Sequence, residues 1–143
     1  MKNKTIDYVL RTTWLAVQKM YNEEASKFGS TMATAFTLLS VDPQKGTPST
    51  SLGPKMGMEA TSLSRILKTL EGKQLIRRSP NPEDGRGVLI YLTEQGLEKR
   101  EESKQNVLKF NSVIKNEISE EKIKNFYEVS DCIMSLISKK KIF

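Results

Sequence analysis

The segment that says most about the architecture reads Glu59-Ala60-Thr61-Ser62-Leu63-Ser64-Arg65-Ile66-Leu67-Lys68-Thr69-Leu70-Glu71. At about 100° per residue, a helix over this segment gathers its aliphatic side chains on one side, which must face a core. That side holds Leu63, Ile66, Leu67 and Leu70. The opposite side holds Thr61, Arg65 and Lys68, flanked by Ser62, Ser64 and Thr69.

The polar side of this predicted helix has the composition that a helix in the major groove of DNA requires. Small hydroxyl groups can approach bases or phosphates closely, and the Arg65 guanidinium can form two hydrogen bonds to a guanine edge. An ordinary solvated helix face has the same composition. Both interpretations therefore stay open for the helix taken alone.

The residues before this helix predict a helix-turn-helix. Segment 47–57 predicts a short helix, with Thr47 or Ser49 as its N-cap, Pro48 in its first turn and Gly57 at its end. A further, mostly apolar helix is predicted over 32–41.

The residues after the helix predict a β-hairpin. Segments 75–78 and 88–92 are rich in Leu, Ile and Val and predict two strands, while the Pro- and Gly-containing segment 79–87 predicts a long loop at the hairpin tip. A helix-turn-helix followed by a hairpin is the order of a winged helix-turn-helix. We expect that motif over residues 31–92.

Basic residues recur in the predicted hairpin. Arg86 is expected at the flexible tip and Arg77 and Arg78 at the base, where they could reach a minor groove or phosphates. Asp84 lies two residues from Arg86, near enough to pair with its guanidinium and hold it in one pose. A solvated turn with an incidental ion pair is the alternative, although a basic tip and a basic helix face in this order favour a common role.

Long helices are predicted at both ends of the chain, over 5–28 and 93–138, because all five prolines lie between residues 43 and 82. Thr93 and Ser119 are the expected N-caps of two helices in the last third. Such long apolar helices in a chain of 143 residues usually need a partner surface, so we expect a homodimer. The expected fold is a single domain over 1–143, mainly α with a small β-hairpin wing and terminal dimerisation helices.

The composition excludes several classes of function. There is no histidine and one cysteine, which removes imidazole bases, histidine-containing triads, disulfide frameworks and cysteine-based zinc sites. We expect no enzyme, no metal and no cofactor. The net charge is +6, with the largest excess in residues 49–92, although a surplus of this size often serves solubility alone.

The sequence also predicts a cytoplasmic protein without membrane segments. The first residues lack the apolar core of a signal peptide. The longest stretch without charge, 28–41, has 14 residues and is rich in Ser and Thr, too short to cross a bilayer.

Four runs of residues resemble the MarR (multiple antibiotic resistance regulator) family of winged helix-turn-helix regulators. They are Ser62-Leu63-Ser64-Arg65-Ile66-Leu67-Lys68-Thr69-Leu70-Glu71, Leu75-Ile76-Arg77-Arg78, Asp84-Gly85-Arg86 and Leu92-Thr93-Glu94-Gln95-Gly96. The pattern Asp-x-Arg followed by Leu-Thr-x-x-Gly is the specific part. The resemblance extends over essentially the whole chain, since the long outer helices match the family's dimerisation elements in position.

The resemblance implies a homodimeric regulator, a repressor, that binds a pseudopalindromic operator in double-stranded DNA. It further implies that Ser62, Ser64 and Arg65 lie on the recognition helix and that Arg86 is a minor-groove arginine braced by Asp84. Together with the residues singled out by the helix and hairpin patterns, the candidate DNA-binding set is Thr61, Ser62, Ser64, Arg65, Lys68, Arg77, Arg78, Asp84 and Arg86.

The resemblance also implies a small effector, often an aromatic acid, that releases the DNA. Candidate pocket residues are Trp14, Tyr21, Met32 and Phe36, although plain core packing is the favoured interpretation of all four. Other members of the family sense oxidants through cysteine. Here we expect Cys132, on the apolar last helix, to be a buried and inert thiol.

Two features depart from the family pattern. Glu59 stands where Ser, Thr or Asp would cap the recognition helix, so we expect a weaker cap. Gly53-Pro54 in the preceding short helix predicts a kink or an early end.

Two other functions remain as alternatives. The first is a helical dimeric protein-interaction module without specific DNA binding, whose hairpin contacts another protein. The second is an enzyme, but the acidic pairs at 101–102 and 120–121 are adjacent helix positions that point about 100° apart.

Overall fold

A computed structural model of the protein describes residues 4–143, and over these residues it contains six helices and three strands. In chain order they are α1 (Ile6–Ser26), α2 (Met32–Ser40), β1 (Thr47–Pro48), α3 (Ser49–Met56), α4 (Ala60–Gly72), β2 (Ile76–Asn81), β3 (Asp84–Leu92), α5 (Glu94–Glu117) and α6 (Glu120–Ser138). This mainly helical architecture with a small antiparallel sheet confirms the predicted fold class. The described residues group into two compact units, one up to residue 104 and the other over 105–143.

The core of the first unit joins α2, α3, α4 and the sheet. Its buried members are aliphatic side chains that each contribute about 1.5–3 kcal/mol when removed from water. They are Leu38, Val41, Leu52, Leu63, Leu67, Leu70, Ile76 and Ile90. Three of them lie on α4, and Ile66 packs against the cluster from the same side. The 100° periodicity therefore predicted the buried face of this helix correctly.

The sheet has the order β1-β3-β2, and β1 was not predicted. Thr47 pairs with Ile90 and Pro48 with Leu89. The expectation that Thr47 or Ser49 caps the short helix was wrong. The Thr47 hydroxyl instead accepts the backbone N–H of Asp42 at 2.8 Å, and Pro48 occupies the N-cap position without a side-chain bond.

Helix α3 persists through its unusual Gly53-Pro54 pair. Pro54 lies inside the helix, which ends as predicted at Gly57 in the left-handed region, with φ of 63°. Gly53 is buried, and a Cβ there would lie 3.0 Å from the Met58 carbonyl oxygen, whose residue donates its own N–H back to Gly53 at 2.8 Å. The glycine therefore permits the close turn between α3 and α4.

The hairpin is tighter than the sequence suggested. The predicted loop over 79–87 was wrong, because β2 continues to Asn81, β3 begins at Asp84 and only two residues connect them. Asn81 Oδ1 accepts the Glu83 N–H at 3.0 Å and Asp84 Oδ1 accepts the Arg86 N–H at 3.1 Å. These polar side chains satisfy their own backbone and so close the turn. A bulge lies between Pro80 and Asn81.

The N-caps predicted in the last third are present. The Thr93 hydroxyl accepts the Gly96 N–H at 3.0 Å, and the Ser119 hydroxyl accepts the Lys122 N–H at 3.4 Å. Helices α5 and α6 start directly after these residues.

The terminal helices leave much of their apolar surface uncovered in the single chain. In the first unit α1 has no buried residue, and Ile6 is 68% exposed. In the second unit α6 has no buried residue either, and Met134 is 68% exposed. The expectation that Cys132 is buried was wrong for the chain alone, because α6 offers no covered face and the thiol is exposed. Over residues 4–143, no helix combines the length and the apolar character needed to span a membrane.

Candidate nucleic-acid interface

The polar face of α4 is presented to solvent as the sequence predicted. Five of the candidate residues on this helix are exposed, namely Thr61, Ser62, Ser64, Arg65 and Lys68. Since the leucines of the opposite face are at most 5% exposed, the rotation of α4 about its axis is fixed by packing. Within residues 4–143, no carboxylate lies within ion-pair distance of Arg65 or Lys68, so both cations are available to an external anion.

The start of α4 is open. Glu59 occupies its N-cap position without a side-chain hydrogen bond, as its departure from the preferred cap residues suggested. Next to it, an open groove of about 500 Å³ lies between α3 and the first turns of α4, with Thr50, Met58 and Ala60 among the residues that line it.

Arg78 connects the hairpin to α4. Its Nε lies 3.3 Å from Glu71 Oε2, and both side chains are partly exposed. An ion pair in such a setting contributes about 0–1 kcal/mol. Arg78 therefore has a structural partner within the first unit, in addition to the role suggested for it by the sequence.

Arg77, unlike Arg78, contacts an aromatic ring and not a carboxylate. Its guanidinium lies over the ring of Tyr91, the residue directly opposite it in the β2–β3 ladder. Stacking on a ring leaves the N–H groups of a guanidinium at its edge available for hydrogen bonds. Arg77 is thus held in one place and still able to bind a phosphate.

Arg86 does not lie at the tip of the hairpin. The tip is formed by Pro82 and Glu83, while Arg86 is an exposed residue of β3. The expected pairing with Asp84 takes a different form, because the carboxylate accepts the backbone N–H of Arg86. Among the described residues, no carboxylate is paired with the Arg86 guanidinium. The Asp84 carboxylate therefore holds the backbone of Arg86, and the Arg86 side chain is exposed to solvent.

The four candidate pocket residues are only partly brought together. Tyr21 and Phe36 meet edge to face with ring centroids 5.3 Å apart, and burial raises the pKa of the Tyr21 phenol. Met32 is buried, whereas Trp14 is 49% exposed on α1. None of the four lines the groove beside α4. An effector pocket at these residues stays a prediction.

Sequence reasoning missed the residues that hold the arginines in place. Tyr91 supports Arg77 and Glu71 pairs with Arg78. The missing signals were the length of the hairpin loop and the bulge after Pro80, because the two together place Arg77 opposite Tyr91. Over residues 4–143 no group of three or more His, Cys, Asp and Glu side chains is arranged to hold a metal ion.

Comparison with known proteins gives a family match in the middle of the chain. Residues 31–88 match the model of the MarR family. The HTH-type transcriptional regulator YdgJ of Bacillus subtilis (strain 168), itself described as uncharacterized, is 39% identical over 59 residues, which are 41% of this chain and 36% of that protein. The HTH-type transcriptional regulator SarZ of Staphylococcus haemolyticus is 28% identical over 90 residues, 63% of this chain and 61% of that protein. The alignments thus span less than two thirds of the length of both relatives.

Solved structures resemble the chain over nearly its whole length. The S. aureus MepR–DNA complex has a TM-score of 0.84 at 21% identity and covers 94% of this chain and 99% of that chain. The reduced form of MarR from E. coli has a TM-score of 0.77 at 25% identity and covers 92% and 98%. The PcaV regulator from Streptomyces coelicolor, solved with its natural ligand, has a TM-score of 0.78 at 17% identity and covers 94% and 98%. At such low identities these likenesses establish the shared fold.

Proposed function

We propose that this chain, whose residues 31–88 match the model of the MarR family, is a DNA-binding transcriptional regulator that acts as a repressor. It binds a pseudopalindromic operator in double-stranded DNA as a homodimer and works in the cytoplasm without catalysing a reaction. The observation that carries the proposal is the solvent-facing side of α4, where Arg65 and Lys68 stand among small hydroxyl side chains with no carboxylate within reach among the described residues. A helix of this kind can insert into a major groove and bind both phosphates and base edges.

The hairpin supplies the second part of the interface. Arg86 extends from β3 with its guanidinium unpaired among the described residues, so it can enter the neighbouring minor groove. Arg77 and Arg78 lie further from the turn on β2, where phosphates of the backbone are the natural targets. In this proposal α4 provides specificity for the DNA sequence, and the hairpin increases the affinity for DNA.

The homodimer is supported by the uncovered apolar surface of the terminal helices. Exposed large apolar residues recur along α1 and α6, and they include Leu10, Trp14, Leu15, Phe126, Val129, Met134 and Ile137. Each of the two helices, taken by itself, carries an apolar face of a kind that soluble monomers rarely leave exposed. A second copy of the chain offers the same surface in return, as a two-fold symmetric dimer requires.

A small aromatic or acidic effector is the proposed signal. It would act by binding a conformation in which the two recognition helices no longer fit successive major grooves, about 34 Å apart. Tyr21 and Phe36, already in contact, are the first residues to test as part of its binding site, together with Met32 and Trp14.

The test is selection of duplexes from a random pool by the purified chain, followed by affinity measurements at a series of salt concentrations. We expect enrichment of a two-fold symmetric sequence and an affinity that falls steeply with salt, because several phosphates are neutralised per dimer. Sedimentation equilibrium should give twice the chain mass, and one dimer should bind per operator. Absence of enrichment, or binding that does not depend on salt, would favour the helical protein-interaction module instead.

A further inference from the structure

The end of α4 and the start of α5 are connected through one residue, Leu75. Its N–H donates to the Leu70 carbonyl in the last turns of α4, at 2.9 Å. Its carbonyl accepts the N–H of Thr93, the residue directly before α5, at 3.1 Å. A backbone hydrogen bond from the N–H and another to the carbonyl of one residue leave little freedom between the two helices at this point.

The turn after α4 has a strained conformation that the structure holds in place. Gln74 has φ of +60°, in the left-handed region that favours glycine. Its N–H donates to the Glu71 carbonyl at 2.9 Å, and its own carbonyl accepts the Thr93 hydroxyl at 2.6 Å. The same hydroxyl oxygen accepts the Gly96 N–H. Thr93 thus bonds to the turn after α4 with one side of its hydroxyl and to the first turn of α5 with the other.

Gly96 makes the close approach of these elements sterically feasible. It is buried, and a Cβ at this position would overlap the Leu75 carbonyl oxygen and lie 3.0 Å from the carbonyl carbon. The obstructing atoms belong to backbone, so they cannot rotate away as a side chain would. Any residue larger than glycine must push the start of α5 away from the turn that ends α4.

We propose that Thr93 and Gly96 are positioning residues that set the orientation of the recognition helix α4 relative to the start of α5, and so the half-site spacing that the homodimer accepts. This inference rests on the proposed function. We call the four residues Gln74, Leu75, Thr93 and Gly96 the α4–α5 junction. None of them belongs to the candidate DNA-binding set, so their effect on binding is transmitted through geometry.

The length of α4 makes a small change at the junction matter. Its 13 residues extend about 20 Å at ~1.5 Å per residue. A tilt of ~5° at its junction end displaces its other end by about 1.7 Å, half of the ~3.4 Å rise of one base pair. A homodimer contains two junctions, so both recognition helices shift together.

The experiment compares operators whose half-sites are moved apart or together by one base pair. The variants are Gly96→Ala and Thr93→Val, with Thr93→Ser and Gly72→Ala as controls. Thr93→Ser keeps the hydroxyl, and Gly72 is a helical glycine whose added Cβ would meet no atom within 4 Å. Kd values on the three operators are measured together with thermal unfolding of each variant.

We expect Gly96→Ala and Thr93→Val to bind the original operator at least ~10-fold more weakly and to lose less on one of the altered spacings. The two controls should keep the wild-type order of preference. A merely destabilising substitution would lower the melting temperature and weaken binding to all three operators by the same factor. Thr93→Val has nearly the shape of threonine, so it decides the matter if Gly96→Ala does not fold.

Two results would overturn the inference. One is an unchanged preference among the spacings in folded Thr93→Val, while the wild type binds its operator normally. In that case the proposed function stands and only the role of the junction fails. The other is a wild-type protein that enriches no duplex at all, which overturns the proposed function and this inference with it.

Discussion

The guanidinium carbon of Arg77 lies 4.3 Å from the centroid of the Tyr91 ring, and the two residues are direct partners across β2 and β3. Gly46, the residue directly before β1, lies against the same ring, since a Cβ there would be 2.7 Å from Tyr91 Cε1. The Tyr91 ring is therefore confined by backbone at one place and supports a cation at another. This relationship gives the hairpin an arginine that is held by an aromatic ring and has no carboxylate partner among residues 4–143.

Arg77 and Tyr91 should be energetically coupled. In a double-mutant cycle with Arg77→Ala and Tyr91→Leu, we expect a coupling free energy of about 0.5–1 kcal/mol, the range for an exposed cation–π pair. Urea unfolding of the four proteins measures it. A parallel cycle with Arg86→Ala and Tyr91→Leu should give a value within experimental error of zero, and equal values in both cycles would contradict the pairing.

Gly46→Ala should destabilise the protein more than Gly29→Ala does. Both glycines have positive φ, +72° and +67°, so each alanine incurs backbone strain of about 1–2 kcal/mol. A Cβ at Gly29 meets no atom within 4 Å, whereas at Gly46 it collides with Tyr91. We expect an additional loss of about 1–3 kcal/mol at Gly46 from overpacking, measured as the difference in unfolding free energy. Equal losses would mean that Tyr91 moves aside freely.

Arg65→Ala should weaken binding to the selected operator by about 1–3 kcal/mol and relax its base preference at one position. The reason is the loss of a guanidinium on the exposed face of α4. Competition between the operator and single-base variants measures the change. Lys19→Ala, which removes an equal charge from an exposed site on α1, serves as the control. Equal weakening on all sequences would restrict Arg65 to phosphate contacts.

Arg86→Ala should weaken DNA binding without lowering thermal stability. Its side chain has no ion-pair partner among residues 4–143, so the substitution removes no ion pair from the folded protein. Arg78→Ala is the informative comparison, because it removes an ion pair with Glu71 and should cost up to about 1 kcal/mol in unfolding free energy. A large drop in the melting temperature of Arg86→Ala would assign Arg86 to the fold.

Protonation of Asp42 at low pH should lower the free energy of unfolding. The backbone N–H of Lys45 and that of Gln44 donate to its carboxylate and lower the pKa of Asp42 below the usual 3.8. A carboxyl group whose pKa is lower in the folded state stabilises the protein at pH values above its pKa in the unfolded state. This contribution is lost as the pH falls through its pKa in the folded state. The advantage of wild type over Asp42→Ala in unfolding free energy should therefore shrink below pH 3.8.

Asp42→Asn provides the control for this titration. The amide keeps an acceptor oxygen for the two N–H groups but cannot take up a proton in this range. Its unfolding free energy should fall less steeply with acid than that of the wild type. Parallel curves for wild type and Asp42→Asn would show that Asp42 does not contribute to acid sensitivity.

The parts of the fold that sequence predicted well depend on local periodicity. The two sides of α4 follow from 3.6 residues per turn, and packing of Leu63 and Leu67 fixes them in place. The N-caps Thr93 and Ser119 were recognisable because a capping hydroxyl acts within three residues of its own position.

The parts that sequence missed depend on partners distant in the chain. Strand β1 consists of two residues that are extended only because they pair with β3. The polar segment after Arg78 suggested a loop, yet Ser79 and Pro80 pair with Leu89 and Val88. The exposure of Cys132 likewise depends on what covers α6, which the pattern of its own helix does not determine.

The bulge between Pro80 and Asn81 has a consequence for how the protein behaves at high concentration. Strand β2 forms one border of the sheet, and the other border is the two-residue β1. Proline donates no N–H, a bulge interrupts the ladder, and the charged Arg77 and Arg78 stand along the same border. Over residues 76–81 the border thus lacks an unbroken row of donors for a strand of another molecule. These features disfavour sheet extension and aggregation at the hairpin, which the proposed DNA contacts require to stay exposed.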